Sequence, residues 1–102
     1  MPRKFSQQQV NKQRNRIIAA ALKLASRPGG WVKLTATVIA AEAGCSYGLV
    51  DFYLGSMADL RTVLVRTAIK RGNYAVVAQA MMAGHEVPAG VRAKVIAHIA
   101  GE

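Results

Sequence analysis

The chain of 102 residues carries fourteen Lys and Arg against five Asp and Glu, a net charge of +9 that points to a polyanionic partner in a chain sized for one domain. Its one cysteine, Cys45, excludes an internal disulfide and a multi-cysteine zinc site, and is expected to be a small buried residue. No run of about 18 apolar residues occurs and the opening MPRKFSQQQVNKQRNR is too polar for a secretion signal, so a cytoplasmic protein with no membrane span is expected.

Residues 1–5 offer Arg3 and Lys4 and little to bury. They are expected to form a mobile arm, either reaching a phosphate or minor groove or simply unstructured. Ser6 is placed to cap a helix that starts near Gln7. Its polar first half holds Lys12, Arg14 and Arg16, and its apolar face comes later, at Ile17, Ile18, Ala21, Leu22, Leu24 and Ala25. Arg27-Pro28-Gly29-Gly30 ends it, because proline cannot continue a helix and the glycines favour a turn. Trp31 is expected to anchor the loop that follows. Thr35 is the expected cap of the next helix; there Thr35 and Thr37 either serve the helix alone or also meet a phosphate at its N-terminus.

The stretch Thr35 to Leu54, TATVIAAEAGCSYGLVDFYL, reads as two short helices around a tight turn at Gly44. Ile39, Ala40, Ala43, Cys45 and Val50 supply inward positions, and Ser46 is expected to accept a hydrogen bond from a free amide at the start of the second helix. What remains is an outer face of Tyr47, Gly48, Leu49, Asp51, Phe52 and Tyr53. Aromatic and apolar side chains facing outward there suit base edges, where thymine methyl groups take apolar contact. The alternative is a helical hairpin packed in a bundle, with the rings in the core.

Gly55 ends the second helix, and Ser56-Met57-Ala58-Asp59 opens a longer one with a cap and an acid in its first turn. Its expected buried stripe is Leu60, Val63, Leu64, Thr67 and Ala68, and Gly72 stops it. Asn73 is placed to cap a helix with Val77 and Met81, and Pro88 to sit in the first turn of a last helix carrying Val91, Val95, Ile96 and Ile99. This terminal pair either completes the chain's own core or forms a two-fold interface, and a homodimer through Val77, Met81, Val91, Val95 and Ile99 is expected. The fold class is all-α, divided into an arm at 1–5, a DNA-binding unit at 6–72 and two short helices for dimerisation at 73–102.

The charge is unevenly placed. Residues 1–72 hold twelve basic residues against Glu42, Asp51 and Asp59, whereas residues 73–102 are balanced. His85, Glu86 and His98 form no metal-ligand set and no nucleophile with a base, so no enzyme activity, no metal and no cofactor are expected. A basic amphipathic membrane binder has no need of the turn at Gly44. A non-specific nucleic-acid coat would account for the charge, with similar affinity for all sequences and a steep salt dependence.

In order, the chain presents a basic helix, a Gly-rich turn, T-x-T-x-IA-x-x-AG-x-S-x-G, an aromatic cluster, and S-x-x-x-L opening a long helix. This resembles the N-terminal DNA-binding domain of TetR-family repressors over Arg16 to Arg71. The matched residues are Ile17, Ala20, Ala21, Leu34, Thr35, Ile39, Ala40, Ala43, Gly44, Ser46, Gly48, Ser56 and Leu60. The resemblance implies an all-helical dimer with two recognition helices in successive major grooves of a palindromic operator, repressing by occupying a promoter. It further implies base and nearby backbone contacts from Tyr47, Gly48, Leu49, Phe52 and Tyr53, and phosphate contacts from Thr35, Thr37 and Ser46. Asp51 and Met57 stand where the family commonly has a phosphate-binding tyrosine and lysine. Arg3, Lys4, Lys12, Arg14 and Arg16 are the replacement cations, and Asp51 either accepts from a cytosine amino group or turns away from phosphate. Family members continue into a long ligand-binding domain, so the expectation here is a short, autoregulatory, plasmid- or phage-type repressor with no small-molecule ligand, or else a truncated ligand-responsive member.

Overall fold

The computed structural model describes residues 7–101, with side-chain surroundings from Val10 onward. Arg3, Lys4 and the capping role expected of Ser6 lie outside the described residues. Among the described residues six α-helices follow one another: α1 Gln7–Ala25, α2 Ala36–Ala43, α3 Tyr47–Leu54, α4 Met57–Arg71, α5 Tyr74–Met82 and α6 Ala89–Ala100. A 3₁₀ turn, Trp31–Lys33, lies between α1 and α2, and no strand occurs among the described residues. The fold class is all-α, as the 3.6-residue periodicity indicates.

Local chemistry explains where most of the helices begin and end. The Thr35 hydroxyl accepts from the Val38 amide at 3.1 Å and opens α2. Gly44, at φ 74° and ψ 36°, closes α2 in the left-handed region, where a side chain would be strained. Ser56 and Asp59 form a reciprocal capping box at the start of α4. Asn73 accepts from the Val76 amide at 3.3 Å to open α5. Pro88 immediately precedes α6 instead of lying in its first turn, and its carbonyl accepts from Val91 and Arg92.

One buried cluster runs from Ile17, Ile18 and Ala21 of α1 through Ile39, Val50, Leu60 and Leu64 to Val76, Val77 and Ala80 of α5 and Val95 of α6. In α4 the fully buried positions are Leu60, Leu64, Val65 and Ala68, whereas Val63 and Thr67 are only half-buried. The first half of α1 stands clear of the core: Asn11, Lys12, Asn15 and Arg16 are exposed, and burial begins at Ile17. The molecule is elongated, 54 × 26 × 20 Å.

This packing corrects the expected dimer stripe. Val77 and Val95 are enclosed in the chain's own core and present no surface to a second copy. Val91 and Met81 are half-buried against the same core. The apolar side chains left outward at this end are Met82, 88% exposed, with Ile96 at 56% and Ile99 at 54% on α6.

Candidate nucleic-acid interface

The helix pair α2–α3 owes its angle to Gly44 and its footing to the buried residues Ile39, Ala40, Ala43, Val50 and Leu54. Val50 and Leu54, one turn apart, fix the inward face of α3. Gly48 and Phe52, also one turn apart, therefore occupy the opposite pole, with Leu49 on one flank and Asp51 on the other. Phe52 is 75% exposed, Tyr47 63% and Leu49 37%. Tyr53 departs from the expected outward face: it is half-buried, packs against the core, and meets Phe52 edge-on with ring centroids 5.0 Å apart. It braces the Phe52 ring from below.

Gly48 is the informative position. Its backbone is ordinary helix, and a β-carbon added there would meet nothing within 4 Å. The fold has no need of a glycine at this site, and glycine is a poorer helix former than alanine. A residue without a side chain at the pole of an exposed helix lets a partner approach the backbone.

The charge around this face is supplied by neighbouring elements, since α3 itself holds no Lys or Arg. Arg16 lies against the turn, its Nη2 atom 3.2 Å from the point where a Gly44 β-carbon would sit. Arg14 is half-buried on α1, and Lys12 is exposed one turn before Arg16. Arg27 and Lys33 line a surface groove of about 300 Å³ with Leu24, Pro28, Leu34 and Val38, at the start of α2. Thr35 and Thr37 are exposed there, and Thr35 is the cap of α2. Two of the five acids are engaged within the fold: Glu42 pairs with Lys23 at 3.1 Å, and Asp59 serves the capping box. Asp51, next to Phe52 on α3, is exposed.

Ser46 corrects a second expectation. It occupies the N-cap position of α3, but its hydroxyl accepts no hydrogen bond from the helix. The first turn is closed instead by the Ser46 carbonyl, which accepts from the Leu49 amide at 3.1 Å, leaving the hydroxyl on an exposed residue. Cys45 is half-buried at the edge of the core instead of fully enclosed.

Two residues that position this surface were not singled out in the sequence. Trp31 is buried as expected of an anchor, but its seat is built by Arg61 and Gln79. The Arg61 guanidinium stacks 5.0 Å from the Trp31 ring and donates to the carbonyls of Trp31 at 2.9 Å and Leu34 at 3.4 Å. Gln79 of α5 accepts from the Trp31 amide at 2.9 Å and donates to the carbonyls of Ala25 and Arg27. His85 meets the Trp31 ring edge-on, centroids 5.5 Å apart. The loop that launches α2 is thus tied to both α4 and α5. No sequence cue marks these partners, because Arg61 reads as one more surface cation and Gln79 as a polar residue on a helix. Among the described residues no group of His, Cys, Asp and Glu is arranged to hold a metal ion, and no helix is long and apolar enough to cross a membrane.

No protein-family model, curated protein or solved structure matches this chain.

Proposed function

We propose that the protein is a sequence-specific double-stranded DNA-binding transcriptional repressor, similar to the TetR family in its helix-turn-helix, acting as a homodimer on a palindromic operator. The observation that carries this reading is the outer pole of α3: a glycine the fold does not require, one turn from a phenylalanine 75% exposed, beside a turn against which Arg16 of α1 lies. A helix of this kind fits the major groove, with its backbone close to the bases at Gly48 and its side chains on base edges. Arg16, Arg14 and Lys12 on α1 meet the flanking phosphates, and the exposed hydroxyls of Thr35, Thr37 and Ser46 add uncharged backbone contacts. Met82, Ile96 and Ile99 are exposed apolar side chains available to a second copy, and for a two-fold dimer on a palindrome the two α3 helices are expected at half-sites about 34 to 36 Å apart. A dimer seated over a promoter blocks transcription by occupying it, and binding at its own promoter would make the level of the protein its own control.

The test is a footprint on the DNA upstream of the protein's own gene, at physiological salt with excess random competitor. Protection of a short inverted repeat is expected. Featureless coverage that the competitor removes would replace this reading with non-specific nucleic-acid binding.

A further inference from the structure

We infer that α3 recognises its half-site through the C5-methyl groups of thymines, held against Phe52 and Leu49, together with a cytosine amino group donated to Asp51. This rests on the reading that α3 enters the major groove, and it specifies the base chemistry read there.

The inference starts from what α3 lacks. Its sequence, YGLVDFYL, holds no Arg, Lys, Asn or Gln, so none of the bidentate pairs that select guanine or adenine is open to it. Its outward chemistry is apolar at Phe52 and Leu49 and accepting at the Asp51 side chain, with a single hydroxyl, that of Tyr47, at the first residue of the helix, away from the Gly48–Phe52 pole. In the major groove the one apolar mark is the thymine methyl, and cytosine N4 is a donor that suits a carboxylate. Guanine, with acceptors at N7 and O6, is repelled by Asp51 on the same grounds. The Phe52 ring is held edge-to-face by the half-buried Tyr53, so its position is set before DNA arrives. Gly48, with open space where a side chain would stand, lets the helix sit deep enough for the ring to reach a methyl at the groove floor. The cations that supply affinity lie on α1 and before α2, away from the bases, which leaves base choice to this apolar strip.

The experiment uses the full chain and a duplex selected by it from a random pool, remade with deoxyuridine in place of thymidine in one half-site at a time. Uracil differs from thymine by the methyl group alone. Each contacted methyl removed is expected to weaken binding about fourfold, while a random duplex with the same replacement binds as before. The Phe52→Ala and Leu49→Ala variants are expected to lose this sensitivity to uracil. Equal affinity of the wild-type chain for the thymine and uracil duplexes overturns the inference while leaving sequence-specific binding intact. A pool that yields no preferred sequence overturns the DNA-reading function itself and the inference with it.

Discussion

An alanine at Gly48 adds a methyl group where nothing in the protein meets it, and replaces a poor helix former with a good one. Gly48→Ala is therefore expected to leave the fold intact and stabilise it by a few tenths to about 1 kcal/mol, read as a higher midpoint of urea unfolding. The same variant is expected to bind operator more weakly, because the added carbon holds the helix away from the bases. A variant that folds better and binds worse separates a binding role from a folding one. Asp51 gives the opposite sign: its negative charge on the proposed DNA-facing helix opposes binding of any polyanion, so Asp51→Ala is expected to raise affinity for random DNA about two- to threefold, by fluorescence anisotropy. At this scale the sequence conveyed the outward positions Gly48, Leu49 and Phe52, because Val50 and Leu54 fix the phase of a short helix; Tyr47, seven residues before Leu54 and near its side of the helix, is 63% exposed as the first residue of α3. It misplaced Tyr53, whose position next to Phe52 hides that a helix turns about 100° per residue and carries it toward the core. Ser46 has the right residue type and position for a cap, but the hydroxyl's rotamer depends on the turn geometry that sequence spacing does not specify.

Among the elements, the loop between α1 and α2 decides how firmly the helix pair is held. Gln79 joins α5 to this loop through three hydrogen bonds, to the Trp31 amide and the Ala25 and Arg27 carbonyls. Gln79→Ala leaves those backbone groups without their partner and is expected to cost about 2 kcal/mol, measured by urea unfolding, with part of the loss visible as faster hydrogen exchange in residues 31–36. The ends of α2, α4 and α5 were readable because their signals are local: Thr35, Gly44, the Ser56–Asp59 box and Asn73 each act within a few residues. The clamp on Trp31 was not readable, since Arg61 and Gln79 come to it from thirty and forty-eight residues away, and no periodicity records a contact of that range.

At the scale of the molecule, one core joins α1 to α6, so the helices expected to serve only a dimer also complete the fold that carries α3. Sequence spacing put Val91, Val95 and Ile99 on one stripe, but it could not tell how far α5 would cover that stripe; Val95 went inward and Ile96 and Ile99 stayed out. Replacing both Ile96 and Ile99 with Asp is expected to yield a monomer by sedimentation while costing little stability, since both side chains are already more than half exposed. If the basic surface binds DNA as proposed, affinity for any DNA is expected to fall steeply with salt. Charge alone cannot distinguish one sequence from another, so the central claim, that the outer face of α3 reads bases, rests on a ratio. The measurement is the dissociation constant for a selected duplex and for a random one, at physiological salt, for the wild-type chain and for Phe52→Ala and Arg16→Ala. The wild-type ratio is expected to reach at least ~10³, to fall in Phe52→Ala, and to hold in Arg16→Ala while both affinities drop together. Equal losses on selected and random DNA in Phe52→Ala would contradict it.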